Sequence, residues 1–115
     1  MATDKDLYRI NHILESIDKI EKIANNCENL ETFENKWIEQ DAMIRNFEII
    51  GEASNHLSRK LKEEHPEIEW AKIVGMRNLI AHEYFGVSPK VIWNTAVDII
   101  PDLRKRLARI KDSSK

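Results

Sequence analysis

The sequence is short of punctuation. Three glycines and three prolines stand among 115 residues, so tight turns are few and regular elements must be long. The single cysteine, Cys27, cannot form an internal disulfide and suits a reducing compartment. Its expected part is a small, half-buried apolar group. No apolar run approaches the roughly 18 residues that span a bilayer. The polar start, Met1-Ala2-Thr3-Asp4-Lys5-Asp6, lacks the apolar core of a secretory signal. A cytoplasmic location and no membrane partner are therefore expected. There is no Gly-rich phosphate loop and no Cys/His zinc spacing. No strand-like alternation, repeat or low-complexity segment appears.

What is present is a folding composition. Hydrophobic residues make up 42% and charged residues 33%, which excludes a disordered chain. The length fits one domain, residues 1–115. The net charge of −2 does not advertise nucleic-acid binding, but it is unevenly spread. From Lys90 onward seven basic residues face three acidic ones, giving +4 there and −6 before it. A basic tail helix can meet a phosphate backbone or an acidic partner. The plainer reading is a solvated face that complements a helix C-terminus.

Four helical stretches account for nearly everything. The first, about Asp4 to Asn25, carries Leu7, Ile10, Ile13, Leu14, Ile17, Ile20 and Ile23 at helical spacing. Thr3 and Asp6 form a capping pair before it, and Asn25 to Asn29 closes it. The second, about Phe33 to Glu64, has the stripe Met43, Phe47, Ile50, Ser54, Leu57 and Leu61. Gly51 and Ala53 are small enough there to admit another helix backbone. Pro66 opens the third, whose apolar side is Trp70, Ile73, Val74, Ile80 and Ala81, and which ends near Gly86. Ser88 and Pro89 open the fourth, with the stripe Ile92, Ala96, Ile99, Leu103, Leu107 and Ile110. Pro101 should kink or split it. The expected fold is all-α: an up-and-down four-helix bundle, with surplus apolar surface hidden in a homodimer.

The unusual segment is Gly75 to Gly86, where polar groups interrupt the apolar pattern. Arg77 holds a position the pattern would give to the core. A half-buried arginine is costly unless it is paired or aimed at an anion; Glu52 and Glu83 are candidate partners. Asn78 and His82 are four apart and share a face. Arg77 and His82 are five apart, about 140° around the axis at 100° per residue. They meet on one ligand only if the arginine reaches round, the helix distorts, or a second protomer completes the pocket. Glu48, Glu52 and His56 share a face of the second helix, but the inward carboxylates a metal site needs are missing elsewhere. His12 and His65 have no evident partners.

Arg77-x4-His82 matches the Arg-x4–6-His signature of HEPN domains, and Arg77-Asn78-Leu79-Ile80-Ala81-His82-Glu83-Tyr84 resembles the Arg-x4-His-x-Tyr motif of the HepT-like branch. Ile44 to Ala53, Pro66 to Trp70, and Gly86-Val87 with Val91-Ile92-Trp93 resemble the flanking blocks of that branch. The resemblance implies a metal-independent, cofactor-free ribonuclease toxin. Its homodimer would gather Arg77 and His82 from both chains in one cleft. It also implies a minimal nucleotidyltransferase antitoxin that adenylylates Tyr84. The implied substrate is RNA, with transfer and messenger RNA both open, and not DNA. Asn78 and Glu52 are expected in supporting roles. The alternative is a non-catalytic module that binds a nucleotide or docks the nucleotidyltransferase. The chemistry agrees with the enzyme: histidine moves protons near neutrality, and arginine's planar fork suits a phosphorane.

Overall fold

A computed structural model describes residues 2–82 and 88–114 of the chain. Among these residues there are seven α-helices, one π-helical turn and no strand. Thr3 starts α1 (Asp4–Cys27) by accepting the Asp6 N–H on its hydroxyl. The helix buries Ile10, Ile13, Ile17 and Ile20 completely. It ends within the expected Asn25–Asn29 segment, but the residue that leaves helical geometry is Glu28 rather than an asparagine. Glu28 takes φ 72°, ψ −43°, and the Asn29 N–H reaches the Cys27 carbonyl two residues back. That is a γ-turn, a strained conformation for a side-chain-bearing residue. Cys27 is 1% exposed, buried rather than half-buried, and that burial pushes its thiol pKa up.

The expected long second helix is three helices. They are α2 (Leu30–Glu34), α3 (Trp37–Asn55) and α4 (Arg59–Glu64). Asn29 caps α2 through its side chain. The break between α3 and α4 is built by Ser58, whose hydroxyl accepts the Leu61 N–H. Asp6 receives both the Ser58 N–H (2.8 Å) and its O–H (2.6 Å). Burial pushes the Asp6 carboxyl pKa up, but the Ser58 and Thr3 hydrogen bonds outweigh it and hold the group below its usual range. Its stabilising effect is therefore complete above the ordinary carboxylate value and fades as pH falls through the lowered one. The stripe survives the break: Met43, Phe47, Ile50, Ser54, Leu57 and Leu61 are all buried.

The third helix begins later than Pro66, because residues 66–69 form turns on the end of α4. The Trp70 indole N–H donates to the His65 carbonyl (3.0 Å), and α5 runs Trp70–His82. Ser88 caps α6 (Pro89–Asn94) as expected, accepting the Lys90 N–H. The fourth stretch then splits. Thr95–Ile99 winds as a π-helical turn, closed by the Ile100 N–H on the Thr95 carbonyl, and α7 (Ile100–Ser113) carries Pro101 in its first turn. The wider turn moves the inward position on by one residue. Ile100 is fully buried and Ile99 is 47% exposed, the reverse of the expected stripe.

In the bundle, α3 lies between α1 and α5, and α1 meets α7 on its other side. Arg104 of α7 grips Asp18 and Glu21 of α1, the latter at 2.6 Å. Arg106 bonds Asp102 at 2.8 Å. The basic tail helix thus commits two of its cations to carboxylates of the chain itself. No described helix is long and apolar enough to cross a membrane.

Two adjacent isoleucines separate these accounts of the tail. Ile100→Ala should cost about 2–5 kcal/mol, while Ile99→Ala should stay within about 0.5 kcal/mol. Urea unfolding of both variants, read by circular dichroism, measures the difference; equal losses would reject the shifted register.

Candidate active site

The site is positioned by a glycine. A Cβ on Gly51 of α3 would lie 2.6 Å from the Arg77 backbone nitrogen, 3.0 Å from the Arg77 Cβ and 3.1 Å from the Val74 carbonyl oxygen. The missing side chain lets α5 press against α3 at Arg77, the contact the small residues foreshadow. The apolar seam around it includes Ile50, Ala53, Ile73 and Met76, all buried.

From that point the Arg77 side chain reaches α3. Its NH1 donates to Glu52 Oε2 at 3.0 Å, and Glu52 Oε1 lies 2.9 Å from His56 Nε2. The Arg77 side chain is 31% exposed and that of Glu52 56%. A pair this wet contributes little stability, so its consequence is orientation. The Arg77 N–H groups first, and His56 second, hold the Glu52 carboxyl below its usual range. Glu52 therefore stays ionised, and able to hold Arg77, throughout the neutral range. Arg77 Nε is buried and has no hydrogen-bond partner among the described residues. An unmade bond on a buried donor costs about 1–3 kcal/mol, so the guanidinium is under-used by the described residues.

Arg77 and Glu52 lie on an open cleft of about 680 Å³, bounded by α1, α3 and α5 and lined also by Arg9, His12, Arg45, Glu48, Ile49, Ala53 and His56. Lys62 of α4 stands close enough to feel the Arg77 charge. Burial first, and then that charge, lower the Lys62 pKa, with Asp6 opposing.

The structure thus brings together Arg77 and Glu52. The side chains of Asn78 and His82, and Glu83 and Tyr84 entirely, lie outside the described residues. Glu48, Glu52 and His56 do share a face, as their spacing requires, and that face is a wall of the cleft. Among the described residues no group of three or more His, Cys, Asp or Glu is arranged to hold a metal ion. Sequence reasoning overlooked Arg9 and Arg45 and left His12 without a partner. The available signal was helical spacing: Arg9 and His12 are one turn apart, and Arg45 continues the Glu48–Glu52–His56 face.

Comparison with known proteins points in one direction. The family described as Ribonuclease HepT-like matches residues 13–110. A Thermococcus cleftensis protein named as a probable ribonuclease HepT is 36% identical over 103 residues, covering 82% of this chain and 94% of that one. A Caldanaerobacter subterraneus protein named as a candidate RNase is 42% identical over 74 residues, 64% of this chain and 66% of the relative. A Methanocaldococcus jannaschii protein named as both a gamma-glutamylcyclotransferase and a candidate RNase is 36% identical over 112 residues, 97% of this chain but 50% of its own. This chain therefore spans about two-thirds and one-half of the length of the last two. No solved structure matches it.

The two glycines of this region should respond oppositely. Gly51→Ala should cost about 1–3 kcal/mol by overpacking and displace Arg77. Gly75→Ala, where an added Cβ meets nothing within 4 Å, should be neutral or stabilise by up to about 1 kcal/mol. Urea midpoints check both; a stable Gly51→Ala would refute the tight seam.

Proposed function

Because the chain belongs to the Ribonuclease HepT-like family, we propose that it is an RNA endonuclease, a toxin-type enzyme whose chemistry rests on Arg77 and His82. The observation that carries this reading is the Arg77 guanidinium. It is fixed on a cleft wall by Glu52, has a buried donor still unused, and sits five residues before His82 on the same helix. A phosphate entering the cleft can draw the guanidinium from Glu52 and give its donors an acceptor.

The reaction needs no metal. The RNA 2′-oxygen attacks the adjacent phosphorus while a base removes the hydroxyl proton. The bond from phosphorus to the 5′-oxygen breaks, and an acid returns a proton to that oxygen. The products are a 2′,3′-cyclic phosphate and a free 5′-hydroxyl. His82 serves in either proton-transfer role, and a homodimer would supply two of them. Arg77 neutralises the charge gathering on the equatorial oxygens, a contribution worth about 10²–10³ in rate. Asn78 orients His82 or bonds a phosphate oxygen. Glu52 keeps Arg77 aimed. A cognate minimal nucleotidyltransferase would silence the enzyme by adenylylating Tyr84, adding bulk and negative charge on the motif segment that the RNA phosphate must approach.

Purified protein incubated with cellular RNA in excess chelator should cut it and leave cyclic phosphate ends. Arg77→Ala and His82→Ala should each lose at least about 10²-fold in rate, and mixing the two inactive variants should restore part of it through a shared cleft. Cleavage unchanged in either variant overturns the assignment. Tight binding of the nucleotidyltransferase without any cleavage would replace it with a docking module.

A further inference from the structure

Four of the seven arginines have their charge answered within the chain. Arg59 pairs with Glu63, Arg77 with Glu52, Arg104 with Asp18 and Glu21, and Arg106 with Asp102. Arg9 and Arg45 have no such partner among the described residues, yet both line the cleft that holds Arg77. Arg9 comes from α1 and Arg45 from α3, so two separate helices deliver them to one place. Together with Arg77 they set three guanidiniums against the carboxylates of Glu48 and Glu52. Lys62 adds a further positive charge within range of Arg77. On a chain of net charge −2, this cleft is a local concentration of cations, and two of them, Arg9 and Arg45, have no carboxylate partner among the described residues.

The rim adds a second kind of group. Tyr8 is 70% exposed, and its ring lies 6.4 Å from that of His12, tilted by 46°. His12 is itself a cleft residue. An exposed aromatic pair beside unpaired arginines is the combination that holds a nucleic-acid strand: cations follow phosphates, and ring faces accept unpaired bases.

We propose that Arg9 and Arg45, with Tyr8 and His12 at the rim, form a binding track that delivers single-stranded RNA to Arg77. This rests on the ribonuclease reading of the Arg77 site and names how that site takes its substrate. Arg9 and Arg45 clamp phosphates flanking the one that is cut, and the Tyr8–His12 pair stacks a neighbouring base. Duplexes are excluded because their bases offer no free face to the rings. Glu48, on the same wall, repels the strand and keeps non-specific binding weak.

The test is binding of a short, fluorescently labelled, uncleavable 2′-O-methyl oligonucleotide, read by anisotropy across a salt series on the intact chain. Arg9→Ala and Arg45→Ala should each weaken binding and lower the log–log salt slope by about 0.7; Arg45→Lys should restore the slope. Tyr8→Ala should weaken single-strand binding roughly ten-fold, with its salt slope kept. Glu48→Gln should tighten binding. A self-complementary duplex of the same chemistry should bind more weakly and ignore Tyr8→Ala. Melting temperatures equal to the unmodified chain exclude misfolding as the cause. Unchanged affinity and slope in both arginine variants overturn the track, even if the chain cleaves RNA. Track-dependent binding by a chain that cuts nothing would instead reject the nuclease reading and leave the track standing.

Discussion

The close contact between α3 and α5 at Gly51 governs everything else about the site. With no Cβ at that position, the Arg77 backbone comes to within ordinary packing distance of α3. Glu52, the very next residue, is then in range of the guanidinium. A few tenths of an ångström more between the helices would weaken a 3.0 Å bond and loosen the only described residue of the motif whose side chain faces the cleft. Packing and electrostatics are therefore one device: a missing methyl group sets the distance, and a carboxylate uses it.

The ion pair illustrates how little stability has to do with such a contact. Glu52 is more than half exposed, so water screens most of its attraction for Arg77. It divides its two oxygens between Arg77 and His56, which fixes the arginine's direction without burying its charge. A fully buried pair would hold the guanidinium harder and resist giving it up to a phosphate. The exposed pair is a resting place.

Much of this was legible in the residues, and the failures have physical reasons. Apolar spacing located the core even where helix boundaries were wrong: Leu57 and Leu61 are buried although α3 ends before them. Spacing reports which face turns inward, whereas continuity depends on caps, and Ser58 acquires its strength from Asp6, 52 residues away. No local pattern reveals such a bond. The misplaced start of α5 has a similar origin, since Pro66 is compatible with a first turn but the Trp70 indole fixes a different one. Glu52 beside Arg77 was readable as a charge seeking its opposite. For Arg9 and His12 the spacing showed a shared face of α1, but only the packing of α1 on α3 brings that face to the cleft.

The π-helical turn at Thr95–Ile99 sets the chain's tolerance to changes in length. Such a turn holds one residue more than regular winding needs. Deleting a residue there would relax it to an ordinary helix with the tail's phase kept, whereas winding the same residues regularly would swing the whole tail by about 100°, carrying Leu103, Leu107 and Ile110 off α1 and Arg104 away from Asp18 and Glu21. The wide turn is therefore a phase correction. It reconciles the start of the last stretch, tied to α2 and α3, with an end that must keep step with α1.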